Sequence, residues 1–140
     1  MKKKLFPDDE VIRAEHFNVS QDWETPIPAF FIIASNRKAR SVGDFNEEEA
    51  QEFIRLVVKI RKGMKEVLGI NDVYMIQNED TDTWFHLWMF PRFDWMEKFG
   101  RKIESVRPIM NYAEKNMVND EVINEVKDSV KKMKEYMKDF

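Results

Sequence analysis

The chain contains no cysteine, which excludes disulfides, thiolate metal sites and a thiol nucleophile. Histidine is nearly as scarce, so any imidazole chemistry rests on His16 or His86. Long apolar runs are missing: nothing approaches the ~18 residues of a membrane span, and the basic start MKKK leads directly into LFPDDE without the ~7–15 apolar residues of a signal peptide. A basic excess is missing too. With 23 Lys and Arg against 26 Asp and Glu, the formal net charge of −3 provides no broad positive field for a nucleic-acid backbone. There is no Gly/Ser-rich linker, internal repeat or low-complexity tract. These absences imply a cytoplasmic protein with no membrane and no polymeric nucleic acid among its partners.

A chain of 140 residues with 43% apolar side chains is the size of one domain and should bury roughly two-thirds of its unfolded surface. Residues 1–14 read as a loose, charged N-terminal segment, 15–95 as the domain proper, and 96–140 as a helical C-terminal extension packed on it. From Glu15 to Trp23, the alternation of His16, Asn18, Ser20 and Asp22 with Phe17, Val19, Gln21 and Trp23 predicts a strand with one polar face. After Pro26 and Pro28, FFIIAS (Phe30 to Ser35) predicts a fully buried partner strand. Asn46, with Glu49 three residues on, forms a capping-box signature. The helix it opens, from about Glu47 to Leu68, carries Ala50, Phe53, Ile54, Val57, Ile60, Met64 and Val67 as one stripe, with Gly69 as its stop.

A second hairpin follows. VYMIQ (Val73 to Gln77) predicts a short strand, NEDTDT a polar turn, and WFHLWMF a strand apolar on both faces, hence central in the sheet. Alternation sends Trp84, His86, Trp88 and Phe90 to one face and Phe85, Leu87 and Met89 to the other, towards the long helix. WMEKFGRKIESV, PIMNYAEKNM and a segment opened by Asn119 complete the chain as helices. The acidic groups of NEDTD, namely Glu79, Asp80 and Asp82, read either as a solvated turn or as ligands for a divalent ion.

The order of hairpin, long helix and hairpin, with the last strand ending φHφφφφPR, resembles the histidine-triad (HIT) superfamily of nucleotide hydrolases and transferases from about Glu15 to Arg92. In that family the last strand reads H-φ-H-φ-H-φ-φ, often followed by Pro-Arg. Counting back from Pro91-Arg92 sets His86 at the middle, nucleophilic histidine, with Trp84 and Trp88 at the two flanking ones. IPAFFIIAS is similar to a family strand in which Ala29 stands where a glycine is usual, Phe30 where a supporting histidine often sits, and Ser35 at a later proline. The resemblance implies an α+β fold, a HIT-like antiparallel sheet with a long helix between two hairpins. It also implies a diadenosine-polyphosphate-hydrolase-like activity on a small nucleotide and a homodimer in which two long helices pair. By the same correspondence Asp22 contacts ribose, Asn78 lies near phosphate, and Trp84, Trp88 and Arg92 line the ligand site.

On this reading a neutral imidazole at His86 attacks the α-phosphorus, and water or another acceptor then releases the nucleotide. No metal or cofactor is invoked. An indole offers one N–H donor and no acceptor, so Trp84 and Trp88 cannot carry protons as histidines would. Arg37, Lys38, Arg40 or Arg92 could supply the missing positive charge. The indoles could equally be core filler or stacking surfaces for a flat base, worth about 1–3 kcal/mol per base. A catalytically inactive nucleotide-binding or interaction module on the same scaffold is therefore the alternative.

Overall fold

A computed structural model describes residues 4–140. Five strands, β1 Glu10–Arg13, β2 Phe17–Gln21, β3 Phe31–Ser35, β4 Val73–Ile76 and β5 His86–Pro91, form one sheet in the order β1-β2-β3-β5-β4. Every neighbouring pair is antiparallel. The apolar character of both faces of β5 is matched by its interior place, with Ala34 opposite His86 on one side and Ile76 opposite Trp88 on the other. No helix is long and apolar enough to cross a membrane among the described residues.

The helix α1 (Glu47–Glu66) starts where the capping signature places it: the Asn46 side chain accepts from the Glu49 N–H, and the Glu49 carboxylate accepts from the Asn46 N–H. Its buried stripe is Leu56, Val57, Ile60, Gly63 and Met64, which packs with Phe17, Val19, Phe31, Ile33, Phe85, Leu87 and Met89 from the sheet. Ile54, expected in that stripe, is 57% exposed, because positions 53, 56, 57, 60 and 64 form the seam and Ile54 falls on the adjacent face. A last helix, α3 (Asp120–Met137), adds Val130, Met133 and Met137 to the same core.

The opposite face of the sheet is covered at one end only. There Ile27, Phe30, Phe90 and Met96 pack with Val106, Ile109, Met110 and Ala113 of helix α2 (Val106–Asn116). Pro108 lies in the first turn of α2, where its missing N–H removes no intrahelical bond. Beyond Trp88, towards His86, this face is open.

Two expectations from the sequence need correction. Residues 1–14 are not a loose segment over their described part, although 1–3 lie outside the described residues. β1 pairs with β2, Phe6 is fully buried, and the N–H groups of Leu5 and Phe6 both donate to the Trp23 carbonyl. The stretch from Trp95 to Ser105 is not an α-helix but two 3₁₀ segments, Asp94–Phe99 and Ile103–Ser105. Gly100 (φ +83°) and Lys102 (φ +70°) sit between them in left-handed backbone that no right-handed helix can carry. Ala29 sits at φ +65°, a backbone conformation that favours glycine, and its N–H donates to Ser129 Oγ of α3 at 3.3 Å.

Candidate functional site

On the open face lies a hollow of about 580 Å³ whose floor is Trp84, His86 and Trp88 of the β5 segment, with Ile32 and Ala34 of β3 alongside. Asn18 and Ser20 of β2, followed by Asp22, Trp23 and Glu24, form one wall, and Arg13, Asn36 and Thr83 close the end. The polar alternation of the second strand thus becomes the hollow's polar lining, as period-two geometry requires.

His86 is half-buried, and its Nδ1 lies 3.0 Å from the Trp84 carbonyl and 3.1 Å from Thr83 Oγ1. With the proton on Nδ1 the ring donates to the Trp84 carbonyl and Nε2 keeps the lone pair, whereas a Thr83 hydroxyl donating to Nδ1 goes with the other tautomer. Both contacts come from the chain just ahead of β5. Thr83 is braced in turn by Thr81, with 2.9 Å between their hydroxyls.

Asp22 sits at the mouth of the β2–β3 connection, where its Oδ2 accepts the Thr25 N–H at 3.0 Å. Burial pushes its carboxyl above the ordinary aspartate range, against the lowering effect of the bonds from Thr25. At the hollow's end, Asn36 Oδ1 accepts from Arg13 Nη1 (3.1 Å) and from Asn18 Nδ2 (2.9 Å), while its own amide donates to the carbonyls of Ala14 and Glu15. Arg13 also pairs with Glu10 at 2.8 Å.

Of the residues expected at the site, Asp22, Trp84, His86 and Trp88 come together around the hollow. Asn78 does not: it is exposed in the β4–β5 turn. Arg92 does not either. Its guanidinium donates to Ser105 Oγ and the Gly100 carbonyl and stacks over Tyr74, tying the end of β5 to the C-terminal segment. Arg37 is bound to Glu49 by two bonds of 2.6 and 2.8 Å, and Arg40 Nε donates to the Glu79 carbonyl. Lys38 is exposed and outside the lining.

Trp23, at 48% exposure, lines the hollow beneath the Lys4 ammonium, 4.1 Å from its ring centroid; the strand alternation had assigned it to the buried face. The β2 strand ends at Gln21, so alternation no longer governs Trp23. The acidic turn 79–82 gathers no metal-binding group. Among the described residues one set of candidate ligands converges, Glu15, His16 and Glu52, with ligand atoms within 4.8 Å of one another. Glu52 there already accepts the His16 N–H at 2.8 Å, which fastens the β1–β2 turn to α1 outside the hollow.

No protein-family model matches the chain, and no curated protein sequence does. Solved structures do. A HIT-like protein involved in cell-cycle regulation from Bartonella henselae superposes with a TM-score of 0.60 over 91% of this chain and 85% of its own, at 16% identity. This is the histidine-triad fold. A zinc-bound histidine-triad family protein from Mycobacterium smegmatis shares it at TM-score 0.58, 13% identity and coverage of 92% and 88%. So does a hypothetical histidine-triad nucleotide-binding protein from Sulfolobus tokodaii, at 0.55, 12% identity and coverage of 94% and 89%. In this HIT fold the hollow and its imidazole lie on the sheet face opposite α1.

Proposed function

We propose that the protein is a HIT-fold nucleotide phosphoanhydride hydrolase or nucleotidyl transferase in which His86 is the nucleophile. The observation that carries the reading is the placement of His86: its ring lines a ligand-sized hollow with Nδ1 3.0 Å from the Trp84 carbonyl, and with the proton there Nε2 is the attacking nitrogen. As Nε2 bonds to the α-phosphorus and the bond to the leaving oxygen breaks, positive charge grows on the ring, and the carbonyl at Nδ1 stabilises it. Water, or an acceptor hydroxyl, then cleaves the phosphorus–nitrogen bond and restores the free imidazole. Asp22 orients the ribose, and Trp23, Trp84 and Trp88 offer faces on which a base can stack. The small nucleotide is the partner, and a second copy of the chain is the other.

A second reading is favoured by the same lining. Both places flanking His86 hold indoles, and Arg13, the one arginine or lysine among the described lining residues, is spent on Glu10 and Asn36. A nucleotide-binding module without turnover fits those facts.

The two readings separate in a ³¹P NMR or chromatographic assay with dinucleoside polyphosphates and aminoacyl-adenylate mimics. The first expects nucleotide release that falls by at least ~10³-fold in His86→Ala, since the attacking group itself is removed. Binding without any product in the wild type selects the module instead.

A further inference from the structure

We infer that Arg107, from the first turn of α2, is the cation that grips the substrate's phosphate at the place where a flanking histidine is missing. The inference rests on the reading of the hollow as a nucleotide site. It starts from an inventory of charge: Arg13, Arg37, Arg40 and Arg92 are each bound to carboxylates, amide oxygens, hydroxyls or carbonyls. Arg107 differs from these arginines, and Lys4, 4.1 Å from the Trp23 ring, is a second cation held over a ring of the hollow. Arg107 is exposed, and it has no ion-pair or hydrogen-bond partner among the described residues. Its one contact is a ring: the guanidinium carbon lies 5.9 Å from the centre of Trp88.

That ring is the floor of the hollow. Trp88 and His86 project from the same face of β5 two residues apart, about 7 Å along the strand. Arg107 is not itself among the residues lining the hollow, but the ring it stands over is, one strand repeat from His86. Its exposed cation–π contact is weak and leaves all five N–H donors unengaged. A phosphoryl group in transfer spreads negative charge over its equatorial oxygens, and the planar fork of arginine meets two of them at once. The indole at position 88 cannot do this, having one neutral donor. What Trp88 does is hold the guanidinium near the site by its face. The helix in turn holds Arg107: Val106 beside it and Ile109 and Met110 below are buried against Phe30 and Phe90.

The test compares AMP with adenosine by titration calorimetry on the full chain, for wild type, Arg107→Gln and Arg107→Lys. Wild type is expected to prefer AMP. Arg107→Gln should weaken AMP on the order of 10- to 100-fold, the size of one charge-assisted contact, while adenosine affinity stays unchanged. Arg107→Lys should recover part of the loss. Since Arg107 is exposed, the variants are expected to fold, and unchanged adenosine affinity shows that they do. An AMP-to-adenosine ratio in Arg107→Gln equal to that of wild type overturns the inference and leaves the nucleotide site standing. Failure of wild type to bind either ligand overturns both.

Discussion

Gly63 shows how a single position can be read in opposite ways before and after its neighbours are known. In the sequence it is a defect, weakening α1 by about 1 kcal/mol relative to alanine. In the fold it is where α3 comes closest: a Cβ there would lie 2.7 Å from Tyr136 Cδ2 and 2.9 Å from Met133 Cε. Overpacking of that kind costs about 1–3 kcal/mol, more than the gain in helix propensity. Gly63→Ala is expected to lower stability by about 1 kcal/mol net in urea denaturation, and a rise would contradict the packing argument. The face shared by His86 and Trp88 was legible from alternation alone, because β5 is regular, and Trp84, just ahead of the strand, falls in with them. Trp23 and Arg107 were not, since one lies past a strand end and the other meets Trp88 only through the docking of α2.

At the scale of elements, the start of α1 joins two local devices. Glu49 closes the capping box on Asn46 and also receives both forks of Arg37, which donates in addition to the Asp44 carbonyl. The Arg37 guanidinium holds the Glu49 carboxyl at about 2, below its ordinary 4.5. Between those values the unfolded chain binds a proton that the folded one does not. The stability Glu49 contributes is therefore complete above about pH 4.5 and is lost as pH falls towards 2. Glu49→Gln should flatten the pH dependence of the melting temperature across that window; an unchanged slope would place the acid sensitivity elsewhere. The capping box could be read from Asn46 and Glu49, because it is local in sequence. The strand β1 could not: EVIR has a single buried residue, Val11, and one inward side chain makes no period.

For the molecule as a whole, α1 leaves Ile54 (57% exposed) and Val58 (44%) on its outer face, one turn apart and flanked by Arg55 and Lys59. We propose this face as the meeting surface of the homodimer. Light scattering at micromolar concentration is expected to give twice the 16.9 kDa chain mass, and Ile54→Lys with Val58→Glu is expected to halve it. A monomeric wild type would rule this arrangement out. Amphipathic patterning gave each helix a buried face without naming its partner, which is why α1 and α3 were found in the chain but their shared layer was not.

Three of the four tryptophans, Trp23, Trp84 and Trp88, line one hollow, and the fourth, Trp95, is packed beside Phe99 and Tyr112. The protein thus carries its own optical probe: intrinsic emission arises mostly from the walls of that cavity, so whatever enters it will register as a change in colour or intensity without any label.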